Sequence, residues 1–315
     1  MKSISLYKSK GFAILATVLL SLLFLNMTVD QEKKAFNFSY DEHSFDAYAI
    51  NNQSGKLESY RSLVNIPVCS DSLCYDVSIW FYWDPLGNFK EYKLVPKKPL
   101  TKADHIPFKP ADYEKLTRLL NNDEPTFFGY TKKQLFEPTK DTIVDAVSGA
   151  TLQALKDELV EGAAFTCYTL WQVTHGEVKK RCWSYSAKHL TPALSDWFFK
   201  QDSQEAYQFL IDELNEKEIL NTLPRFNPIW ELKGSFLGKR LLNRMSKKAF
   251  RKFKYQKHLA NHFNQMDYFT QIALLKRIKG IKLHSPMVLA LKNTDYTSSS
   301  RRDQLIKELL AKNSN

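Results

Sequence analysis

Seven residues near the middle of the chain bring small side chains, hydroxyls and a carboxylate together: Asp145-Ala146-Val147-Ser148-Gly149-Ala150-Thr151. Gly149 and Ala150 would let backbone N–H groups come close to a ligand. Ser148 and Thr151 add hydroxyls that can donate, accept or attack. Leu152, Leu155 and Leu159 follow at helical spacing, which predicts a helix opening at the motif and ending near Gly162. The positive end of that helix and its free N–H groups favour an anion, phosphate above all. Ile143 and Val144 predict a strand that stops at the same point. Strand, small-residue turn and helix form the order a phosphate site needs. The same residues also fit a plain helix cap, with Ser148 or Thr151 accepting from a free N–H.

The stretch resembles the flavinylation motif of the FMN-binding domain family, whose pattern is Asp, two free positions, Ser or Thr, then Gly-Ala-Thr. Asp145, Ser148, Gly149, Ala150 and Thr151 supply every specified position. The family includes flavin-bearing subunits of the sodium-pumping NADH:quinone reductase and its ferredoxin-linked relatives. The resemblance implies that a separate FAD-dependent FMN transferase presents FAD and that the last Thr attacks its pyrophosphate. FMN is then left on the Thr as a phosphoester, and AMP departs. Carried over, Thr151 would hold FMN covalently, while Gly149 and Ala150 would leave the transferase room. Ser148 and the first helical N–H groups would bind the esterified phosphate. Asp145 would be read by the transferase or order the turn. Respiratory-complex members usually carry a second Thr or Ser two positions after the acceptor, where this chain has Gln153. The resemblance covers residues 60–165 at most. Motif and the nearby Cys167-Tyr168-Thr169-Leu170-Trp171 also look like exported bacterial proteins that join such a domain to helical repeats.

Other elements must position that motif. At 315 residues, with 25% charged, the chain has the size of two ordinary globular domains. Lys2, Lys8 and Lys10 precede an apolar run over 11–25, so residues 1–30 read as a signal peptide or N-terminal membrane anchor. No cysteine follows that run to carry a lipoprotein anchor. An exported, extracytoplasmic protein is the expectation, and family members usually carry their FMN there. Residues 31–59 read as a polar tether with an irregular strand near 45–50. Cys69 and Cys74 flank a Ser/Asp turn between β-prone pieces, opposite each other as a disulfide requires. A structural staple is the simpler role; a redox pair exchanging electrons with the flavin is the alternative. Runs over 77–83 and 89–95 bracket Asp84-Pro85-Leu86-Gly87-Asn88 and predict a hairpin. FMN-binding domains similarly build an antiparallel sheet before the motif, and an exposed Trp or Tyr there could stack on the flavin.

Pro96, Pro99, Pro107 and Pro110 make 96–110 a loop, in which His105 reads as a surface residue. A short helix over 112–120 and a turn and strand over 127–136 lead to the motif. Beyond it, 163–173 is ambiguous. Its composition favours a strand, whereas Phe165, Tyr168 and Trp171 would line one helical face. His175-Gly176 then turns the chain into 178–185. If both arms are strands, Cys167 and Cys182 would fall on one face and pair, a second disulfide.

From Leu190 on, apolar residues recur at helical spacing between punctuating prolines, which predicts an α-helical layer or HEAT-like array. Lys233, Lys239, Arg240, Arg244, Lys247, Lys248, Arg251, Lys252, Lys254 and Lys257 crowd one acid-free stretch and hold most of the excess behind a net charge of +11. Export disfavours nucleic acid as the partner. Anionic lipid or an acidic protein suits residues 233–257 better, and a solvated helix face remains the plainest reading. His258 and His262 stand four apart, as zinc ligands can, but Leu259-Ala260-Asn261 lacks the metalloprotease Glu, so no metal is expected. No Gly-x-x-x-x-Gly-Lys, Gly-x-Gly-x-x-Gly, Gly-x-Ser-x-Gly or Cys-x-x-Cys-His motif occurs.

The expected architecture is α+β: an antiparallel-sheet, FMN-binding-like domain over 60–186, then an all-α domain over 187–315. The expected function is an exported flavoprotein with FMN on Thr151 that relays electrons between unidentified redox partners, more a carrier than a self-contained enzyme. The alternative is an exported helical scaffold with a flavin-free first domain.

Overall fold

From residue 31 to 94, apolar and polar side chains alternate, and the chain forms five consecutive antiparallel strands in the order β1-β2-β3-β4-β5. These are β1 (Gln31–Tyr40), β2 (His43–Asn51), β3 (Leu57–Ser70), β4 (Leu73–Trp83) and β5 (Phe89–Leu94). The computed structural model describes residues 31–70, 73–102, 105–132, 149–232, 236–294 and 300–313; at 31, 69–70, 73–75 and 149–153 it describes the backbone alone. The N-terminal signal or anchor, the end of the 127–136 strand, the 143–144 strand, Asp145 and Ser148 lie outside the described residues. Among the described residues no helix is long and apolar enough to cross a membrane.

The segment expected as a tether is part of the sheet: β1 pairs with β2 along its whole length, and β2 with β3. Its polar residues mislead because alternation exposes every second side chain, while Phe38, Phe45, Ala47 and Ala49 point inward and are buried. The expected hairpin is β4–β5 around Gly87, and its inner face continues through Tyr60, Val64, Ile79, Phe81 and Trp83, all fully buried. Burying each such side chain contributes on the order of 2 kcal/mol. On the opposite face Arg61 lies 4.8 Å from the Trp80 ring centre and Lys93 lies 4.7 Å from that of Tyr82.

The inner face is covered by α3 (Ala164–His175) and α4 (Glu177–Lys188), which follow α1 (Pro110–Leu120) and α2 (Gly149–Glu158). Polar anchors fix that cover. The Trp83 indole donates to the Thr174 carbonyl at 2.9 Å, and the Tyr60 hydroxyl reaches the Cys182 carbonyl at 3.1 Å and Ser186 Oγ at 2.7 Å. The Ser39 N–H donates to Glu177 at 2.7 Å, tying β1 to the start of α4. Gly176 forms the elbow between the two helices. A Cβ there would stand 2.6 Å from the Gln172 carbonyl oxygen.

The chain divides into two compact units between His189 and Leu190. The second is helical throughout its described residues: α5 (Pro192–Gln201), α6 (Gln204–Glu213), α7 (Glu216–Thr222), a 3-10 helix (Leu223–Trp230), α8 (Leu237–Arg244), α9 (Lys247–Phe250), α10 (Phe253–His262), α11 (Tyr268–Ile278), α12 (Ser285–Lys292) and α13 (Arg301–Lys312). Side-chain caps from Thr191, Ser203, Asn215, Ser246, Asp267 and Ser300 start six of them.

A repeat becomes visible here. Helices α6, α8, α11 and α13 start at residues 204, 237, 268 and 301, intervals of 33, 31 and 33. The partner row, α5, the 3-10 helix, α10 and α12, starts at 192, 223, 253 and 285, intervals of 31, 30 and 32. Successive members of the first row pack on one another. Bonds bridge neighbouring repeats at separations of 28 to 30 residues: Arg240 to Asp212 at 2.6 Å, the Ser246 N–H to Glu216 at 2.7 Å and the Leu283 N–H to Asn313 at 3.0 Å. The interval is shorter than the roughly 40–47 residues of HEAT and armadillo units and near that of two-helix repeats.

Candidate functional site

The motif helix is α2, and Gly149, Ala150 and Thr151 form its first turn. The helix expected after the motif is therefore present. Its first turn holds no acidic residue, so that turn sets no carboxylate against an anion at the positive helix end. At the other end the Lys115 ammonium donates to the Lys156 carbonyl at 2.9 Å, a cation where the dipole is negative. An FMN phosphoester on Thr151 fits this helix end on charge.

A short loop, 121–130, locks α2 in place. Glu158, at the end of α2, accepts from the Thr126 N–H at 2.7 Å and the Asn122 amide at 2.9 Å. The Trp171 indole on α3 donates to the Asn122 carbonyl at 2.8 Å, and the Tyr168 hydroxyl to that of Tyr130 at 3.0 Å. Leu155, Leu159 and Val160 are buried beside them. His175 lies flat on Trp171, ring centres 4.6 Å apart, with Nε2 3.5 Å from Asp123. Burial lowers its pKa, so the ring is held neutral and acts as a packing surface. None of these roles was evident in the sequence. Asn121-Asn122-Asp123-Glu124-Pro125 signals only a turn.

Phe128 and Tyr130 stand on the same loop, 57% and 37% exposed. Both belong to the segment that leads in sequence toward the motif. They are aromatic surfaces that a planar ring could use, beside the half-buried Trp80, Tyr82 and Tyr92 of the sheet.

The cysteines separate into two cases. Cys69 and Cys74 are direct partners in the β3–β4 register, as the sequence predicts. Cys167 and Cys182 are not a disulfide: both are free thiols, fully buried on α3 and α4. The 163–173 segment, open between strand and helix in the sequence, is helical from Ala164, and 178–185 falls in a helix, so the facing strands on which that pairing depended are not formed. Burial pushes the Cys167 thiol up to about 12 and that of Cys182 well above the usual range, so neither forms a thiolate nucleophile near neutrality.

In the helical unit the His258 and His262 rings are 4.7 Å apart, and His262 Nδ1 lies 2.9 Å from the His258 carbonyl, which it reaches along its own helix. Burial, with His262 nearby, lowers the His258 pKa to about 4. Among the described residues no three His, Cys, Asp or Glu side chains converge as a metal site would need.

No protein-family model, no curated protein and no solved structure matches this chain.

Proposed function

We propose that the first unit is an exported FMN carrier with the flavin esterified to Thr151. The observation that carries the reading is the sequence motif itself, Asp145 and Ser148-Gly149-Ala150-Thr151, of which Gly149, Ala150 and Thr151 form the first turn of a helix with no acidic residue in that turn. Thr151 would supply the ester oxygen. Ser148 and the free N–H groups of α2 would hold the phosphate, and Gly149 and Ala150 would admit the transferase. FMN supplies one- and two-electron chemistry when bound. The protein's part is to tether it, and the loop that fixes Glu158, Asn122 and Trp171 keeps the helix in one position. Phe128 or Tyr130 would cover one face of the ring. The helical unit, a row of two-helix repeats, would serve as a scaffold for redox partners outside the cytoplasm.

Co-expression with an FMN transferase tests this directly. The denatured wild-type protein should gain the mass of one FMN less water and stay yellow, and Thr151→Val should gain nothing. Unchanged mass, with the transferase active on a second substrate, would sink the carrier. The repeated helix pairs support a second reading, an interaction scaffold with a flavin-free first unit, and that outcome would favour it.

A further inference from the structure

The basic stretch does not form a uniform charged face. Two of its arginines serve the fold: Arg240 grips Asp212 through two nitrogens, at 2.6 and 2.7 Å, and Arg244 donates to the Leu214 carbonyl at 2.7 Å. Its lysines do something else. Lys248, Lys252 and Lys254 line a cavity of about 380 Å³ together with Lys217, Asn221, Tyr255 and Glu216. Lys217 follows the start of α7 and Lys248 follows that of α9, 31 residues later, so two successive repeats place a lysine at the same point.

Among the described residues Lys217, Lys248 and Lys252 have no ion-pair partner within 4 Å, and Lys254 lies 4.6 Å from the Tyr255 ring centre. One carboxylate faces these four ammonium groups. Glu216 accepts from the Ser246 N–H at 2.7 Å, and Ser246 holds its pKa below the usual range. The lining therefore carries an excess of three positive charges in a concave space. Four exposed lysines around one concavity suggest a polyvalent anion as its occupant. The basic groups that line the cavity are lysines, each a point charge with three donors of the kind that binds phosphate oxygens. Its volume lies within the range of small-ligand sites.

We propose that this cavity between the α7 and α9 turns binds a phosphate-bearing ligand, either a soluble organophosphate or a lipid phosphate headgroup. The proposal is independent of the flavin reading, because it concerns other residues in the other unit.

Calorimetry of the full chain with inorganic pyrophosphate tests it, beside Lys248→Glu/Lys252→Glu and a control of equal charge change, Lys239→Glu/Lys276→Glu. Wild type should bind saturably, and the cavity variant should lose about tenfold or more in affinity, the control about twofold or less. The melting transition of each variant verifies folding, and Lys217→Gln supplies a milder cavity substitution that should weaken binding without reversing charge. Equal losses in cavity and control variants would mean a diffuse polyanion surface and would overturn the site, as would no saturable binding by wild type. Equal competition by polyglutamate at matched charge would overturn the phosphate preference. Sedimentation with phosphatidylcholine vesicles containing phosphatidic acid then separates the sources. Co-sedimentation displaced by pyrophosphate assigns a lipid headgroup, and pyrophosphate binding without co-sedimentation assigns a soluble ligand.

Discussion

Two residues show how tightly local chemistry is constrained. Gly87, in the β4–β5 turn, has φ of +86°, and a Cβ there would lie 2.9 Å from Cys182 Cβ and from the Lys179 backbone. Left-handed backbone and a clash with an immovable neighbour add together, so Gly87→Ala should destabilise the first unit by about 2–4 kcal/mol. A urea midpoint unchanged from wild type would refute that. His258 makes a pH prediction. Its folded pKa of about 4 lies below the ordinary 6.5 because burial opposes the charge. Above pH 6.5 it is neutral in both states and costs nothing. As pH falls from 6.5 toward 4 the unfolded chain gains a proton the folded chain refuses, so stability drops. His258→Leu should therefore lose less stability than wild type between pH 7.5 and 4.5 in denaturant melts; parallel losses would remove His258 as a contributor. At this scale the sequence was readable where a residue type forces a geometry, as in the turn at Asp84–Asn88. It was silent on His175 and Glu158, whose partners Asp123, Asn122 and Thr126 lie 32 to 52 positions away.

Elements were legible in proportion to how unequal their two faces are. β4 alternates between buried and half-buried residues over 79–83, β5 buries none of its residues, and the hairpin follows from the turn residues between two β-prone runs. Helix α3 gives no such signal: Thr166, Cys167, Tyr168, Thr169, Leu170, Trp171, Val173 and Thr174 are all buried, so it shows no periodicity and its β-branched and aromatic residues imitate a strand. Helix α4 buries only Val178, Cys182 and Ser186, a seam one residue wide that spacing alone underweights. The helical assignment has a chemical signature. In a Cys69→Ser/Cys74→Ser background, native protein should show no thiol reactive to a disulfide reagent, and denaturation without reductant should release two, from Cys167 and Cys182. Denatured protein with no free thiol would restore the disulfide. The helix after the motif was readable because Leu155 and Leu159 mark its buried side. A flavin at the motif is suggested only by resemblance, since small residues before a helix also make a cap.

The whole molecule was legible as two units, and the division at His189 falls three residues from the expected boundary. The repeat was not. Its 31–33-residue interval is carried by packing positions and cross-repeat bonds, whereas the residues filling those positions differ, Ser203, Phe236, Asp267 and Ser300 at one helix start. Each unit has its own buried core, so a fragment of residues 190–315 should fold alone, with helical circular dichroism and a cooperative melt. A fragment that unfolds without a transition would show that the division is only geometric.

The cover of the sheet by α3 and α4 has a consequence in time. Every strand pairs with its neighbour in sequence, so the sheet can zip up hairpin by hairpin as the chain emerges. Its inner face, with Ala47, Val64 and Phe81, still lacks a lid when β5 is complete, because residues 164–188 have yet to be made. For some seventy residues of synthesis the nascent chain shows an aromatic-rich surface to whatever surrounds the ribosome. Holdase chaperones should find this protein early, and release it when Trp83 meets Thr174.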